Sequence, residues 1–302
     1  MKIELSIIIV NWNGSEITKQ CLTSIYEQTR QISFEVIVVD NGSSDSSCEM
    51  IEKYFPQVRI IANRENRGFA AANNQGILEA KGDFLLLLNN DTIILDHALE
   101  KIIAVAKETP QAGVLGCKVL NADMTQQSSC FRFPSLLNLT LAAMHLDTFF
   151  PKHNFFGRER YAKVNWNKIT EVDVVSGCFM LVRREAYEKT GVLDERFFMY
   201  AEETDWCLRF RQNGWKVLYA PYGEIIHLGG ASSKKNKGPM ALQLKGSILL
   251  FIKKHRSRLS YSTACLIVSL YFILRAFFLF NANCCKGSFL SLLGADYLCL
   301  KK

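Results

Sequence analysis

The chain of 302 residues is 49% hydrophobic and 22% charged, with a formal net charge of +7. That length carries one large α/β domain, or two modest ones, with a real hydrophobic core, and it excludes disordered chains and small disulfide scaffolds. The charge is uneven: the first 230 residues hold 24 cationic and 28 anionic side chains, a balance of −4, whereas the remaining 72 hold 12 and 1, a balance of +11. Such confinement points to an anionic partner at one end, phospholipid or nucleic acid. The ten cysteines include no C-x-x-C pair, so no zinc spacing appears and reduced thiols in a cytoplasmic protein are expected. The opening MKIELSIIIVNWNGSE has too short an apolar run for a signal peptide and no small-residue cleavage site.

In chain order, compact apolar runs at 5–10 (LSIIIV), 34–39 (FEVIVV), 58–62 (VRIIA) and 84–88 (FLLLL) predict strands. Helical patterns at 15–28, 44–54 and 69–81 separate them. Continuous apolar strands alternating with helices form a parallel sheet covered on both faces. After Ala112 the pattern loosens, and 131–168, rich in Phe, Asn and basic residues, reads as a variable loop or short helices. Order returns with runs at 172–176 and 178–182, helices at 184–190 and 203–213, and runs at 216–220 and 224–227. The second half thus reads as an α+β extension built onto the sheet, giving three parts: 1–110, 111–232 and a basic, apolar tail, 233–302.

Ligands of such sheets bind beyond the carboxyl ends of the strands. There stand Asn11-Trp12-Asn13, Asp40-Asn41-Gly42-Ser43, the NRENRG run at 63–68, and Asn89-Asn90-Asp91. Asn, Asp and Gly are also turn formers, but four such clusters on one edge exceed what turns require. Asp40 suits a ribose or a pyrimidine N–H, or caps the next helix. Asn66, Arg67 and Gly68 open a helix whose exposed N–H groups, with the Arg67 charge, suit a diphosphate. Asn89 and Asp91 suit a hard cation such as Mg²⁺ or Mn²⁺, or Asp91 serves a turn and a helix cap.

The segment LDERFFMYAEETDWCLR, 193–209, combines acids with aromatics. Glu202 and Glu203 would sit at a helix mouth and Asp205 in its first turn, where the macrodipole favours carboxylates. A partly desolvated carboxylate there has a raised pKa and suits a general base. His227 precedes a glycine-containing loop that allows close approach to a substrate.

The tail begins with basic residues, from Lys234 and Lys235 to Arg256 and Arg258, and continues into a mostly apolar stretch at 259–280. About 20 apolar residues span a hydrocarbon core, although Arg275 within the run fits equally an interfacial or bundle-packed helix, and a helix folded onto the domain is a third reading. Basic residues beside it would lie on the cytoplasmic, anionic side of a membrane.

Taken together, VNWN, VVDNGSSD, NRENRGFAAANNQG, LLLLNNDT, SGCFMLVRREAYEKTGVLDERFFMYAEETDWCLR and HLGGAS resemble the inverting glycosyltransferases of family 2, in their bacterial rhamnosyltransferase-like branch, over residues 3–232. The resemblance implies a GT-A fold, a Rossmann-like mostly parallel sheet joined to an acceptor-binding part. It implies a nucleotide-diphosphate sugar donor, with dTDP-rhamnose favoured, held by Asn11, Asn13, Asp40, Asn66, Arg67, Gly68 and Asn90, with Asp40 on the nucleobase. Asn89 and Asp91 would occupy the D-x-D site for Mg²⁺ or Mn²⁺, with His227 as a further ligand. Glu203 falls on the position of the catalytic base, a glutamate where the family usually has aspartate, and Asn89 replaces the first D-x-D acid; the choice among Glu202, Glu203 and Asp205 stays open. The acceptor would be a glycan or a polyprenyl-linked glycan in bacterial surface polysaccharide synthesis, reached from the cytoplasmic face of the inner membrane.

Two rivals remain, a nucleotidyltransferase of similar fold and a non-catalytic, membrane-attached sugar-nucleotide-binding protein. Nucleic acid is not expected as a partner, because the part preceding the tail is net negative.

Overall fold

A computed structural model describes residues 2–161, 165–229 and 237–279, together with residues 290, 291 and 295. Lys234, Lys235, Phe280 and the end of the HLGGAS motif lie outside the described residues.

The first third alternates as the pattern predicts: β1 (Leu5–Asn11), α1 (Ser15–Gln28), β2 (Phe34–Asp40), α2 (Ser47–Tyr54), β3 (Arg59–Ala62), α3 (Phe69–Glu79) and β4 (Phe84–Asn89). Next are β5 (Thr92–Ile94), α4 (Ala98–Glu108), β6 (Ala112–Leu120), β7 (Cys130–Phe131), α5 (Leu136–Ala143) and α6 (Leu146–Phe149). Then come β8 (Thr170–Glu171), β9 (Val174–Val175), β10 (Phe179–Arg183), α7 (Arg184–Thr190), α8 (Glu202–Gln212), β11 (Lys216–His227), α9 (Lys237–His255) and α10 (Arg258–Leu279).

One sheet runs in the order β3-β2-β1-β4-β10-β6-β11-β5, with β8 paired to β11. Strands β3, β2, β1 and β4 are mutually parallel, β6 and β11 are parallel, and β10 is antiparallel between β4 and β6. The α/β class and the mostly parallel sheet are therefore as expected; β6, β8, β10 and β11 extend the same sheet, while β7 and β9 form a separate antiparallel pair.

Alternate residues face opposite layers, as strand geometry dictates. Ile7, Ile9, Leu86 and Leu88 pack on α1, α2 and α4 through Leu22, Ile51 and Ile102, while Ile8, Leu85 and Leu87 face Ile77, Trp206 and Phe210 from α3 and α8. Each such buried side chain contributes about 1.5–3 kcal/mol.

The loosening after Ala112 hides a strand. Gly113 and Gly116 interrupt the apolar run of β6 because a Cβ at either would lie 2.7 Å from the Trp215 side chain or 2.8 Å from that of Val175. Likewise 216–220 and 224–227 are one strand, with its register shifted between Tyr219 and Glu224. The 131–168 stretch contains short helices, as one of its two readings had it.

A third apolar cluster joins α5, α9 and α10 through Leu139, Leu249, Phe251, Ala264, Val268 and Phe272, with Phe197 from the loop before α8. The helix α10 thus lies folded onto the protein. Among the described residues no helix is long and apolar enough to cross a membrane. Its outer side nevertheless exposes Leu259, Leu266, Leu270, Ile273 and Leu274, near exposed Met144, Phe149 and Phe150 of the α5–α6 region. The His145 ring, 6.0 Å from that of Tyr271, brings the two stretches together.

Candidate active site

Parallel pairing sets strand ends in a row: Asn11 is level with Asp40, Val10 with Asn89, and Asp40 with Ala62. A cleft of about 330 Å³ opens along this edge, within the range of small-molecule sites. Its walls carry Asn66, Asn89, Asn90, Asp91, Glu202, Glu203 and His227 from the expected set, joined by Val10, Trp12, Asn41, Phe69, Ser176, Gly177, Cys178, Met199 and Tyr200.

Asn11, Asn13 and Asp40 do not line the cleft; they brace it. Asn11 donates from Nδ2 to Asp40 Oδ1 at 2.8 Å, and its Oδ1 accepts from Thr18 at 2.8 Å and from Asn90 Nδ2 at 3.1 Å. The Asp40 carboxylate also accepts from the Ser43 N–H at 2.9 Å and the Ser43 hydroxyl at 2.6 Å. Asp40 therefore plays the turn-capping part in this structure, held under the cleft by groups that leave its oxygens engaged. Asn13 ties its own turn to the next one, accepting from the Ser44 N–H at 2.7 Å.

The expected diphosphate cradle at 66–68 is closed. The N–H of Arg67 donates to Asn41 Oδ1 at 3.0 Å, that of Gly68 to Asn66 Oδ1 at 3.0 Å, and that of Phe69 to the Phe198 carbonyl at 2.7 Å. Gly68 has φ +84, and a Cβ there would lie 2.6 Å from the Phe198 oxygen, so glycine serves close packing of two protein segments. Arg67 keeps an exposed side chain beside the cleft.

On the sheet side, Asp91 precedes β5 rather than a helix, so the helix-cap alternative falls. The Leu228 N–H donates to the Asp91 carbonyl at 2.9 Å, and His227 pairs with Thr92. These bonds bring His227 Nε2 within 3.2 Å of Asp91 Oδ1 and 3.2 Å of Asn89 Nδ2. No group of three or more His, Cys, Asp or Glu able to hold a metal occurs among the described residues. One carboxylate, one imidazole nitrogen and one amide converge instead, a donor set that fits a hard cation completed by substrate oxygens.

On the opposite wall α8 starts with Glu202, Glu203 and Asp205 in its first turn. Burial pushes the Glu202 carboxyl well up, and the neighbouring Glu203 charge adds to it; its Oε2 is buried without a hydrogen-bond partner among the described residues. Burial raises half-buried Glu203 as well, against hydrogen bonds from its own backbone and from Thr204 that favour the ionised form. Both acids line the cleft.

Asp205 corrects the sequence reading, because it faces away from the cleft. Its buried carboxylate meets Arg209 Nε at 2.8 Å, Lys254 Nζ at 2.6 Å and His255 Nε2 at 2.7 Å. Burial alone pushes its carboxyl up, but Lys254, His255 and Arg209 together outweigh that and hold it below the ordinary range. Asp205 is thus a bolt between α8 and α9.

The turn before α8 is bolted too. Tyr200 and Ala201 are both left-handed, with φ 68 and 64, a conformation costing about 1–2 kcal/mol per non-glycine residue. The Met199 carbonyl accepts from the Ser247 hydroxyl at 2.8 Å and from Gln243 Nε2 at 3.2 Å, both on α9. Ser176, Gly177 and Cys178 open one of the family-like motifs but are not expected at the cleft, because they precede a strand; antiparallel β10 puts its start, not its end, on this edge.

Comparisons with known proteins show what the chain is similar to. The Glycosyl transferase family 2 model matches residues 6–191. An N-acetylglucosaminyl-diphospho-decaprenol L-rhamnosyltransferase of Mycobacterium tuberculosis is 26% identical over 263 residues, covering 83% of this chain and 85% of the relative. A low-salt glycan biosynthesis hexosyltransferase of Haloferax volcanii is 23% identical over 291 residues, covering 91% and 85%. Among solved structures, GalNAc-T7 with UDP, GalNAc and Mn²⁺ superposes with a TM-score of 0.60 at 14% identity, over 83% of this chain and about half (48%) of that one. S. aureus TarS 1-349 in complex with UDP gives a TM-score of 0.53 at 18% identity, over 91% and 72%. At such identities the structural likeness shows the fold alone, which is GT-A.

Proposed function

Since the chain belongs to glycosyl transferase family 2, an inverting family, we propose that it moves a sugar from a nucleotide-diphosphate donor to a hydroxyl of a lipid-linked glycan in polysaccharide synthesis. One observation carries this reading: two glutamates of raised pKa and the Asp91–His227 pair line the same cleft. Family membership sets aside the nucleotidyltransferase alternative. The M. tuberculosis relative's name favours rhamnose as the sugar and a polyprenyl diphosphate glycan as the acceptor.

Glu203, more exposed than Glu202, accepts the proton of the acceptor hydroxyl. The freed oxygen attacks the anomeric carbon from the face opposite the diphosphate; the bond to the phosphate oxygen breaks with its electron pair, and the centre inverts. Glu202, kept neutral by burial beside Glu203, leaves the second acid free to ionise, since two adjacent carboxylates resist joint ionisation. Asp91, His227 and, with its amide turned, Asn89 would hold a Mg²⁺ or Mn²⁺ ion, whose chemistry there is to neutralise charge developing on the diphosphate. Exposed Trp12 offers a ring to the nucleobase.

Glu203→Gln is expected to lower kcat about 10²–10⁴-fold with the melting temperature retained. Near-full transfer by that variant overturns the assignment. The donor is identified by thermal shift against a panel of nucleotide sugars, because a ligand at about 100 times its Kd stabilises by about 2.7 kcal/mol.

The outer face of α10 supports placing the protein on the cytoplasmic surface of the inner membrane. Its apolar stripe from Leu259 to Leu274, beside Phe149 and Phe150 and with exposed Arg256 and Arg258 at one end, has the make-up of an interfacial helix. Co-sedimentation with phosphatidylglycerol vesicles should fall sharply in Leu266→Asp and Leu270→Asp; unchanged binding removes this face from the account.

A further inference from the structure

We propose that Gln127 is a positioning residue that sets the His227 ring in the tautomer a cation needs. The inference rests on the cation reading of Asn89, Asp91 and His227. His227 Nδ1 lies 2.7 Å from Gln127 Oε1. The direction of that bond is set by the other end of the same amide: Gln127 Nε2 donates to Asn121 Oδ1 at 2.8 Å and to the His227 carbonyl at 3.3 Å. Both partners are acceptors, so nitrogen must face them and oxygen must face the ring. An amide oxygen only accepts. A ring with a single hydrogen therefore carries it on Nδ1 and presents its lone pair at Nε2, toward Asp91 and Asn89.

Asn121 is oriented in turn. Its Nδ2 donates to Thr125 Oγ1 at 2.9 Å, and that hydroxyl gives its own proton to Asp123 Oδ1 at 2.5 Å. Every donor from the imidazole onward points the same way, ending on a carboxylate, so turning any one amide over sets acceptor against acceptor. The backbone fixes the relay's origin as well. Asn121 and Thr125 close a tight turn through a 2.8 Å N–H to carbonyl bond, and the Gln127 N–H donates to the Val119 carbonyl at 2.8 Å. Gln127 stands between β6 and β7, in a stretch with no strand-end or motif signal, which is why sequence reasoning passes over it.

Partners that orient a ligating histidine ordinarily govern metal affinity by about 10–100-fold. The test uses the full chain with ¹⁵N-labelled histidine at pH 8. The His227 signals, identified by their loss in His227→Asn, should show Nδ1–H and an unprotonated Nε2 in the wild type. Gln127→Leu should mix the two tautomers and weaken Mn²⁺ binding, measured by calorimetry, about 10–100-fold. Asn121→Leu, which frees the Gln127 amide to turn, should shift both readouts in the same direction by less. An Nε2–H tautomer in the wild type overturns the inference, and that measurement needs no variant to fold. Unchanged Mn²⁺ affinity in Gln127→Leu overturns it too. A wild type that takes up no Mn²⁺, with or without UDP, overturns the cation reading itself and the inference with it, a failure separate from that of Gln127.

Discussion

The two walls of the cleft are held by different physics. The sheet wall rests on strand register and a largely neutral lattice: Asn11, Asn90, Thr18 and Ser43 exchange amide and hydroxyl bonds around the Asp40 carboxylate, and Asn41 donates to the Gly68 carbonyl. The α8 wall rests on buried charge and strained backbone, with Asp205 facing three cationic or basic groups and two consecutive left-handed residues tied to α9. The first kind of support is spread over many weak bonds. The second is concentrated, and each group in it counts for more.

That contrast is broken most severely by Asp205→Asn, which leaves Lys254, His255 and Arg209 facing a neutral amide. Losing one partner of a buried ion pair costs about 3–5 kcal/mol, read as a lower urea midpoint. A loss under about 1 kcal/mol would show the bolt to be idle. Asn11→Ala on the other wall removes partners from Asp40 and Asn90 and should cost about 1–3 kcal/mol, so the two variants rank the walls directly.

The acids of α8 also differ in pH sign. Asp205 has a lowered folded pKa, so its contribution is complete above its ordinary value near 3.8 and is lost as pH falls through the folded value. Glu202 has a raised one, so its contribution is complete below its ordinary value near 4.5 and is lost as pH rises through the folded value. Glu202→Gln should therefore raise the melting temperature by a few degrees at pH 8 and by nothing near pH 4; equal gains at both would place the effect elsewhere. The smallest expected change is Ser247→Ala, about 0.5–1.5 kcal/mol from the lost bond to Met199, accompanied by a fall in kcat without a matching rise in KM. A change in KM alone would detach α9 from the work of the turn before α8.

The legibility of the molecule divides along the same line. Asn89, Asp91 and Asn66 are readable because a parallel sheet places the residues after each apolar run on one edge, and β1, β2 and β4 announce themselves by continuous Ile, Val and Leu. Asp205 is misread because neighbouring acids at a helix mouth look alike in sequence, while its partners, Lys254 and His255, lie 49 and 50 residues further on. The N–H groups of Arg67 and Phe69 look free for a similar reason: Asn41 and Phe198, which engage them, are remote in the chain. The C-terminal helices read as a separate membrane tail because their composition dominates; Gln243 and Ser247, polar and fully buried, are the residues that tie α9 to the turn before α8.

The support that α9 gives to Met199 also orders events in time. A chain folding as it is synthesised settles its N-terminal part first, so the sheet wall, complete once β11 has emerged, precedes the residues that hold the turn at Tyr200 and Ala201. The glutamates are thus the last part of the cleft to be fixed. A chain halted before Gln243 would own the sheet edge of the cleft and lack the bonds that hold the turn before Glu202 and Glu203.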